Sequence, residues 1–138
     1  MEKTTILPQK FEGSVFSGCC RGREFLALEW VRRELRQRFS LIPFPGTLNL
    51  RVAPEVRQTL YERRGSFHKI ADPAAPDCPG FLRKVLLRAN GRRCSSAYLI
   101  LPELTMYNDA LEIISAENLR QMLHLKDGDP VEVEALPE

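Results

Sequence analysis

The chain has 138 residues, of which 43% are hydrophobic, and its formal net charge is +2. A chain of this length fits one domain that buries about two thirds of its unfolded surface, so it needs no disulfide to fold. The N-terminus lacks the apolar core of a signal peptide, and no run of about eighteen apolar residues occurs, so we expect one domain over residues 1–138 without a membrane segment.

The cysteines indicate a reducing compartment. They form no C-x-x-C pair and no Cys/His cluster at zinc-binding spacing, and two adjacent cysteines make a poor disulfide framework. The four are Cys19, Cys20, Cys78 and Cys94. We therefore expect a cytoplasmic protein.

The charges are distributed unevenly along the chain. Residues 1–100 contain 18 Lys and Arg against 9 Asp and Glu, whereas residues 101–138 contain 2 against 9. Such asymmetry fits an anionic ligand, either nucleic acid or a nucleotide phosphate, on the basic part. It equally fits two faces of one domain that attract each other, and composition alone leaves both interpretations open.

The first elements in chain order are a strand and a long helix. Residues 11–18 alternate as a strand does, and a polar loop follows. Over residues 24–39, apolar side chains recur at spacings of three and four, with arginines on the opposite face. These apolar residues are Phe25, Leu28, Val31, Leu35 and Phe39. The basic face, with Arg32, Arg33, Arg36 and Arg38, is typical of a solvated helix, and a nucleic-acid stripe is the alternative.

The second half predicts mainly short strands. Residues 54–70 show little pattern, and the prolines of residues 71–80 predict a surface loop. Two strands, 81–89 and 95–102, follow and are joined by an Asn-Gly hairpin turn. Residues 109–114 predict another strand, Ser115 a helix cap for residues 116–123, and residues 131–136 a last strand. The expected fold is mainly β, a small barrel with one long and one short helix.

The segment PFPGTLNL, residues 43–50, combines a stiff turn with two polar side chains. Pro45 fixes φ and Gly46 permits a reversal, which alone fits an ordinary structural turn. In the strand that follows, Thr47 and Asn49 lie on one face, and Leu48 and Leu50 on the other. Two neutral oxygens side by side suit Mg²⁺, which prefers oxygen ligands and often shares them with substrate phosphates.

The loop SGCCRGRE, residues 17–24, lies between the first strand and the first helix. Free backbone N–H groups and the helix dipole at such a place attract phosphate. Its two glycines, Gly18 and Gly22, permit close approach of the backbone, and Arg21 and Arg23 add positive charge. The pattern is neither a Walker A sequence nor G-x-G-x-x-G, so its position is more informative than its letters.

A carboxylate stands out in the later strand. Glu112 is flanked by Leu111 and Ile113, and alternation usually turns such a residue to solvent. On an inner barrel face it would need a hydrogen-bonding ligand or partner. Neither His68 nor His124 belongs to a triad or metal arrangement, so no general acid or base is evident.

The ordered motifs of the chain resemble the archaeal CTP-dependent riboflavin kinase family over about residues 11–136. The motifs are GSVFSG, P-x-PGTLNL, PELTMY, LEIISAENLR and LKDGDPVEVE, and their order and spacing carry the resemblance. It implies a six-stranded cradle-loop, RIFT-like barrel. It also implies transfer of the γ-phosphate of CTP to the 5′-hydroxyl of riboflavin with Mg²⁺, giving FMN and CDP.

The resemblance implies a role for four sets of residues. Thr47 and Asn49 match the metal ligands, and Thr105 and Glu112 match the flavin contacts. The nucleotide contacts match two segments, Gly18, Cys19, Cys20, Arg21, Gly22 and Arg23, and Glu117, Asn118, Leu119 and Arg120. No residue is matched to a general base, and we expect a monomer.

Cys20 departs from the family pattern. The nucleotide loop of the family typically reads G-x-G-x-G, and Cys20 stands at its middle glycine. A side chain there obstructs close backbone approach to a phosphate, so we expect weakened nucleotide binding. Two alternatives follow, a non-catalytic flavin- or nucleotide-binding barrel and, from the basic helix, a nucleic-acid-binding module.

Overall fold

The computed structural model describes residues 10–17, 22–102 and 108–137. Within these ranges the side chains of Gly22, Asp77 and Cys78 are not described.

The described residues form seven strands and four α-helices. The strands are β1 (Lys10–Val15), β2 (Leu48–Arg51), β3 (His68–Asp72), β4 (Ala75–Ala89), β5 (Arg92–Pro102), β6 (Ala110–Ser115) and β7 (Pro130–Ala135). The helices are α1 (Gly22–Ala27), α2 (Glu29–Phe39), α3 (Pro54–Glu62) and α4 (Leu119–Met122), and a 3₁₀ turn covers Arg64–Ser66.

Six of the strands close into an antiparallel barrel. The strand order is β3-β4-β5-β6-β2-β1-β7, and β7 pairs back onto β4. Strand β3 lies outside the closed ring and pairs with the first half of β4. The predicted fold, mainly β with a closed six-stranded barrel, is confirmed.

The β4–β5 hairpin forms as predicted. Asn90 and Gly91 occupy the turn with φ of 52° and 72°. A two-residue turn with two positive φ values matches the twist of the flanking strands, and Asn-Gly is the pair that adopts it at the lowest cost.

The inner face of the barrel is an apolar core. Alternate residues of neighbouring strands fill it, among them Leu50, Leu99, Ile113 and Val133, each at most 1% exposed. This period of two places the residues between them on the outer face.

A second apolar cluster lies between the outer face and the helices. Val31 and Leu35 of α2, both 0% exposed, pack with Leu82, Ile100 and Ile114 of three neighbouring strands. The amphipathic pattern predicted for this helical segment is therefore used to cover one part of the barrel.

The predicted single helix over residues 24–39 is wrong in one respect. The segment forms two helices that are separated at Leu28, whose φ and ψ of −68° and 134° are extended. Leu28 is 45% exposed, so it does not belong to the buried face that its spacing indicated. The sequence pattern alone does not reveal this break, because the apolar residues on both sides of it keep helical spacing.

The region between residues 52 and 80 contains two further corrections. Residues 54–62, which show little pattern, form α3, with Pro54 in its first turn. The predicted loop over 71–80 is wrong, since β3 and β4 form a hairpin there. Its register shifts between the pairs Ile70↔Gly80 and Asp72↔Ala75. Proline has no N–H to donate to a regular ladder, so within sheets it is tolerated at irregularities of this kind. The described residues form four α-helices, where one long and one short helix were expected.

The predicted helix cap is also wrong. Ser115 ends β6, and the cap of α4 is Asn118, whose side chain accepts a hydrogen bond from the Gln121 N–H. The Ser115 hydroxyl instead donates to the Ser96 carbonyl and accepts from the Glu117 N–H. Ser115 therefore fixes the loop before the helix.

Across the described ranges, none of the helices is both long enough and apolar enough to span a bilayer.

Candidate functional site

Three polar side chains converge on the outer face of the barrel. The Thr47 hydroxyl lies 2.9 Å from Asn49 Oδ1 and 3.2 Å from Glu112 Oε1. Both distances permit a hydrogen bond from the single hydroxyl proton, which the two acceptors share. We call Thr47, Asn49 and Glu112 the oxygen cluster.

The pairing of β2 with β6 builds this cluster. Asn49 lies directly opposite Glu112 in the register, and Leu48 lies opposite Ile113. Directly opposed residues have Cβ atoms about 4.5–5.5 Å apart. Since Leu48 and Ile113 face the inner core, the two polar side chains share the outer face. The prediction that Thr47 and Asn49 lie together is confirmed.

The turn before β2 is attached to the end of β6. The Phe44 N–H donates to the Ser115 carbonyl at 2.8 Å. Gly46 has a φ of 126°, a conformation that side chains disfavour, so glycine is required there. The stiff turn therefore delivers Thr47 to the position beside Glu112.

Burial makes Glu112 an unusual carboxyl. Desolvation raises its pKa above the ordinary value of 4.5, and the hydrogen bond from Thr47 opposes this shift. Glu112 is on the outer face, as alternation predicts, yet only part of it is exposed. Thr47 is its one side-chain donor among the residues that the structure describes, so this half-buried carboxyl has capacity for a polar ligand or a cation.

A cavity of about 150 Å³ adjoins the oxygen cluster. It lies between the Pro45–Gly46 turn, the start of α1 and the segment before α4. Its lining residues are Arg23, Phe44, Pro45, Gly46, Thr47, Leu48, Ile113, Ser115, Glu117, Asn118, Leu119 and Arg120. We call this space the turn cavity.

The turn cavity brings together residues that are distant in sequence. It joins Thr47, Arg23 and the segment Glu117–Arg120, which the resemblance assigns to the metal and the nucleotide. Arg23 and Arg120 line one cavity together with a single acidic residue, Glu117, so its charged lining favours an anion. Asn118 is partly committed, because its side-chain oxygen caps α4.

Several predicted site residues cannot be placed. Gly18, Cys19, Cys20 and Arg21 of the nucleotide loop lie outside the described residues, and so does the flavin contact Thr105. Gly22 begins α1, and only its backbone is described. The roles assigned to these residues stay predictions.

Sequence reasoning missed one group beside the cavity. Arg120 Nη2 donates to Asp127 Oδ1 at 2.7 Å and to the Ser17 hydroxyl at 3.1 Å. The Ser17 hydroxyl also donates to Asp127 Oδ1, at 2.9 Å. The motif LKDGDP contains Asp127 but reads as a simple turn, so only the folded chain reveals the contact.

The oxygen cluster consists of side-chain oxygens of the kinds that can bind Mg²⁺. Hydroxyl, amide and carboxylate oxygens are ligands that suit this hard cation, and substrate phosphates commonly complete its shell. Among the described residues, no group of three or more His, Cys, Asp or Glu could hold a metal ion. The cluster differs from such a group because two of its three oxygens are neutral.

The fold and the site define a small closed barrel with a basic cavity beside clustered oxygen ligands. The model of a family named CTP-dep_RFKase, described as domain of unknown function DUF120, matches residues 15–135. This match covers most of the chain, and the chain belongs to that family.

Similar proteins carry the name riboflavin kinase. One from Archaeoglobus fulgidus is 39% identical over 132 residues, which are 92% of this chain and 54% of that protein. One from Methanopyrus kandleri is 34% identical over 122 residues, 88% of this chain and 80% of that protein. One from Thermoplasma volcanium is 32% identical over 124 residues, 88% of this chain and 55% of that protein.

The chain spans about half the length of the Archaeoglobus and Thermoplasma proteins and four fifths of the Methanopyrus protein. The matched parts contain the turn before β2, the strand β6 and the segment before α4, because each match covers at least 88% of this chain. The family resemblance predicted from the motifs is confirmed.

Proposed function

We propose that this chain is a riboflavin kinase, which transfers the γ-phosphate of CTP to the 5′-hydroxyl of riboflavin and releases FMN and CDP. Its membership of the CTP-dep_RFKase family supports this, and so do the names of its relatives. The observation that carries the proposal is the oxygen cluster at the edge of the turn cavity.

Phosphoryl transfer depends mainly on positioning and on neutralising charge. Arg23 and Arg120 line the turn cavity and pair with the anionic phosphate chain there. Gly46, with its neighbours Pro45 and Thr47, lines the same cavity. In the reaction, the flavin 5′-oxygen forms a bond to the γ-phosphorus, the bond from that phosphorus to the β-phosphate oxygen breaks, and the hydroxyl proton is released.

Mg²⁺ is the cofactor that we propose for the oxygen cluster. Thr47 and Asn49 would hold it, and when bound it would neutralise charge on the phosphate oxygens. Glu112 lies within hydrogen-bonding distance of Thr47, so the position assigned to the flavin adjoins the position assigned to the metal. This adjacency would bring the flavin hydroxyl close to the phosphate that is transferred.

The direct test is FMN formation. Purified protein is incubated with riboflavin, Mg²⁺ and one of the four nucleoside triphosphates, and products are separated by chromatography. We expect FMN with CTP and much less with the other three, and no FMN when the metal is removed with EDTA. Riboflavin binding without FMN from any triphosphate would contradict the kinase and favour the non-catalytic barrel.

The nucleic-acid alternative has a separate test. Arg32, Arg33 and Arg36 of α2 are exposed, as a solvated helix face requires, while Arg38 pairs with Glu34 at 3.0 Å. We expect no RNA or DNA binding at physiological salt. Binding that weakens steeply with salt, together with no affinity for riboflavin, would support the alternative.

We further propose that the protein acts as a monomer in the cytoplasm. The reducing compartment suits Cys94, which is a free, buried cysteine. Light scattering of the purified protein measures the oligomeric state, and a mass near 15.8 kDa is expected.

A further inference from the structure

Asp127 lies outside the turn cavity but contacts a residue that lines it. Its carboxylate accepts hydrogen bonds from Arg120 and from Ser17, at 2.7 Å and 2.9 Å. These contacts join α4, the segment that follows β1 and the turn before β7, which are distant in sequence. They hold the pKa of Asp127 below its usual range, with the Arg120 hydrogen bond as the largest cause.

The turn that carries Asp127 is itself fixed to the barrel. The Gly128 N–H donates to the Val15 carbonyl at 2.7 Å, and the Val15 N–H donates to the Asp129 carbonyl at 2.9 Å. The Lys126 N–H donates to the Asp129 side chain at 3.0 Å. The Asp127 carboxylate is therefore presented from a support that is tied to β1.

The contacts of Arg120 leave part of its guanidinium for a ligand. Nη2 is the guanidinium nitrogen that donates to Ser17 and to Asp127. Within the described ranges, Nη1 and Nε of Arg120 donate no hydrogen bond. Because a guanidinium is planar, fixing one nitrogen sets the direction in which the other donors point.

Stability gives a weak reason for this arrangement. The side chains of Arg120 and Asp127 are 38% and 58% exposed, and exposed ion pairs contribute little to folding. The pair Arg88–Glu134 has the same 2.7 Å separation and similar exposure, 39% and 32%, but it lies on β4 and β7 and does not line the turn cavity. It provides a matched comparison.

We propose that Asp127 is a positioning residue, which orients the Arg120 guanidinium for a nucleotide di- or triphosphate in the turn cavity. The inference rests on the proposed function for the identity of its ligand. It assigns a role to the turn before β7, where the sequence analysis placed no site residue.

Two opposing effects of Asp127 give the test its sign. A negative charge near a phosphate site repels the ligand, so its removal alone would tighten binding. Lost orientation of Arg120 would weaken binding instead. Weakened binding on removal of the carboxylate therefore reports positioning, and unchanged or tighter binding overturns the proposal.

The experiment measures the affinity for Mg·CTP by calorimetric titration, with kcat and KM for FMN formation. We expect Asp127→Ala to raise the Kd about tenfold, and KM with it, while kcat changes less than about threefold. Asp127→Asn keeps an acceptor for Arg120 and should recover most of the affinity. A Kd for Asp127→Asn no better than that of Asp127→Ala would contradict orientation through this hydrogen bond.

A double-mutant cycle shows whether Asp127 acts through Arg120. In an Arg120→Ala background, Asp127→Ala should change the Kd by less than about twofold. An undiminished tenfold loss in that background would overturn the proposal. Glu134→Gln is the control, and it should leave the Kd unchanged because Arg88 does not line the cavity.

The result is separable from the kinase proposal. If no triphosphate yields FMN but the wild-type protein binds Mg·CTP and Asp127→Ala weakens that binding, the kinase proposal fails and this inference stands. If FMN forms normally in Asp127→Ala at subsaturating CTP, the inference fails and the kinase stands. Absence of any nucleotide binding to the wild-type protein overturns both.

Discussion

One row of residues crosses the outer face of the barrel, and it is apolar in its first half and polar in its second. Leu82 lies opposite Ile100, Ile100 opposite Glu112, and Glu112 opposite Asn49. The first two are at most 2% exposed and lie under α2 and its neighbours, in the second apolar cluster. The last two belong to the oxygen cluster. One sheet therefore uses the same face for packing and for chemistry.

The difference shows what determines each half. Burial of Leu82 and Ile100 stabilises the fold, by roughly 25 cal/mol for each Å² of apolar surface removed from water. Glu112 is partly buried, no residue in the described ranges forms an ion pair with it, and desolvation raises its pKa. The polar half therefore lowers the stability of the fold, and the apolar half offsets this loss. Such an exchange is common where a site binds a ligand.

The largest expected effect is on the apolar half. Leu35→Ala truncates a side chain of α2 that is 0% exposed in the second apolar cluster. Such truncations lower the free energy of unfolding by about 2–5 kcal/mol, through lost burial and the remaining cavity. Urea unfolding measures the loss. At a temperature where the variant stays folded, its riboflavin affinity should equal that of the wild-type protein.

Leu28→Ala is the matched control for this substitution. Leu28 lies in the same helical segment but is 45% exposed, so its truncation should cost less than about 1 kcal/mol. Equal losses for the two variants would mean that the helix does not cover the barrel as described.

The next effect concerns catalysis in the polar half. Asn49→Leu replaces a proposed metal ligand with an apolar side chain of similar size, on the far side of Glu112 from the apolar half. We expect FMN formation to fall at least about a hundredfold, as when a group that stabilises transition-state charge is lost. Thermal unfolding should show that the fold is retained.

Gln58→Leu provides the comparison for Asn49→Leu. Gln58 is an exposed amide on α3, where it donates to Glu62 at 3.1 Å, and it does not line the turn cavity. Its replacement should leave turnover unchanged. Wild-type turnover in Asn49→Leu would remove the assignment of Asn49 to the metal.

These two halves were not equally visible in the sequence. The neighbouring positions of Thr47 and Asn49 in the oxygen cluster followed from alternation and from the stiff turn, because a strand places these two side chains on one face whatever surrounds it. The hairpin followed from Asn90 and Gly91, whose preference for positive φ is local. Local rules were sufficient wherever the backbone itself decided the structure.

Other features depend on contacts that no local pattern contains. The break at Leu28 and the pairing of the proline-rich segment with β3 arise from packing and from register. The contact between Glu112 and Thr47 requires the pairing of β6 with β2, and that of Arg120 with Asp127 requires two loops to meet. Sequence patterns predicted the members of the site better than their partners.

A smaller effect separates the two roles of Glu112. Glu112→Gln keeps the shape but replaces an acceptor-only group with one that also carries donors. If Glu112 contacts the flavin, an unsatisfied polar group should weaken riboflavin binding by about 1–3 kcal/mol. Fluorescence quenching of riboflavin measures this affinity, with Glu55→Gln, an exposed residue of α3, as the control.

The outcome would be decisive in either direction. Unchanged riboflavin affinity in Glu112→Gln would contradict the flavin contact. A selective loss of Mg·CTP affinity with normal riboflavin binding would instead assign the carboxylate to the metal, next to Thr47 and Asn49.

The smallest expected effect is on stability, and its sign depends on pH. The pKa of Glu112 in the folded protein is raised above its ordinary value of 4.5, because burial disfavours the charged form. A raised pKa means that the folded state is favoured below the ordinary value and loses this advantage as pH rises through the folded value. Glutamine does not ionise and avoids that loss.

Glu112→Gln should therefore raise Tm at pH 7.5, by no more than about 4 °C, which about 1 kcal/mol gives a domain of this size. At pH 4 the two melting temperatures should converge. Scanning calorimetry at both values checks this, and a difference that does not depend on pH would mean that hydrogen bonding, not ionisation, sets the cost of Glu112.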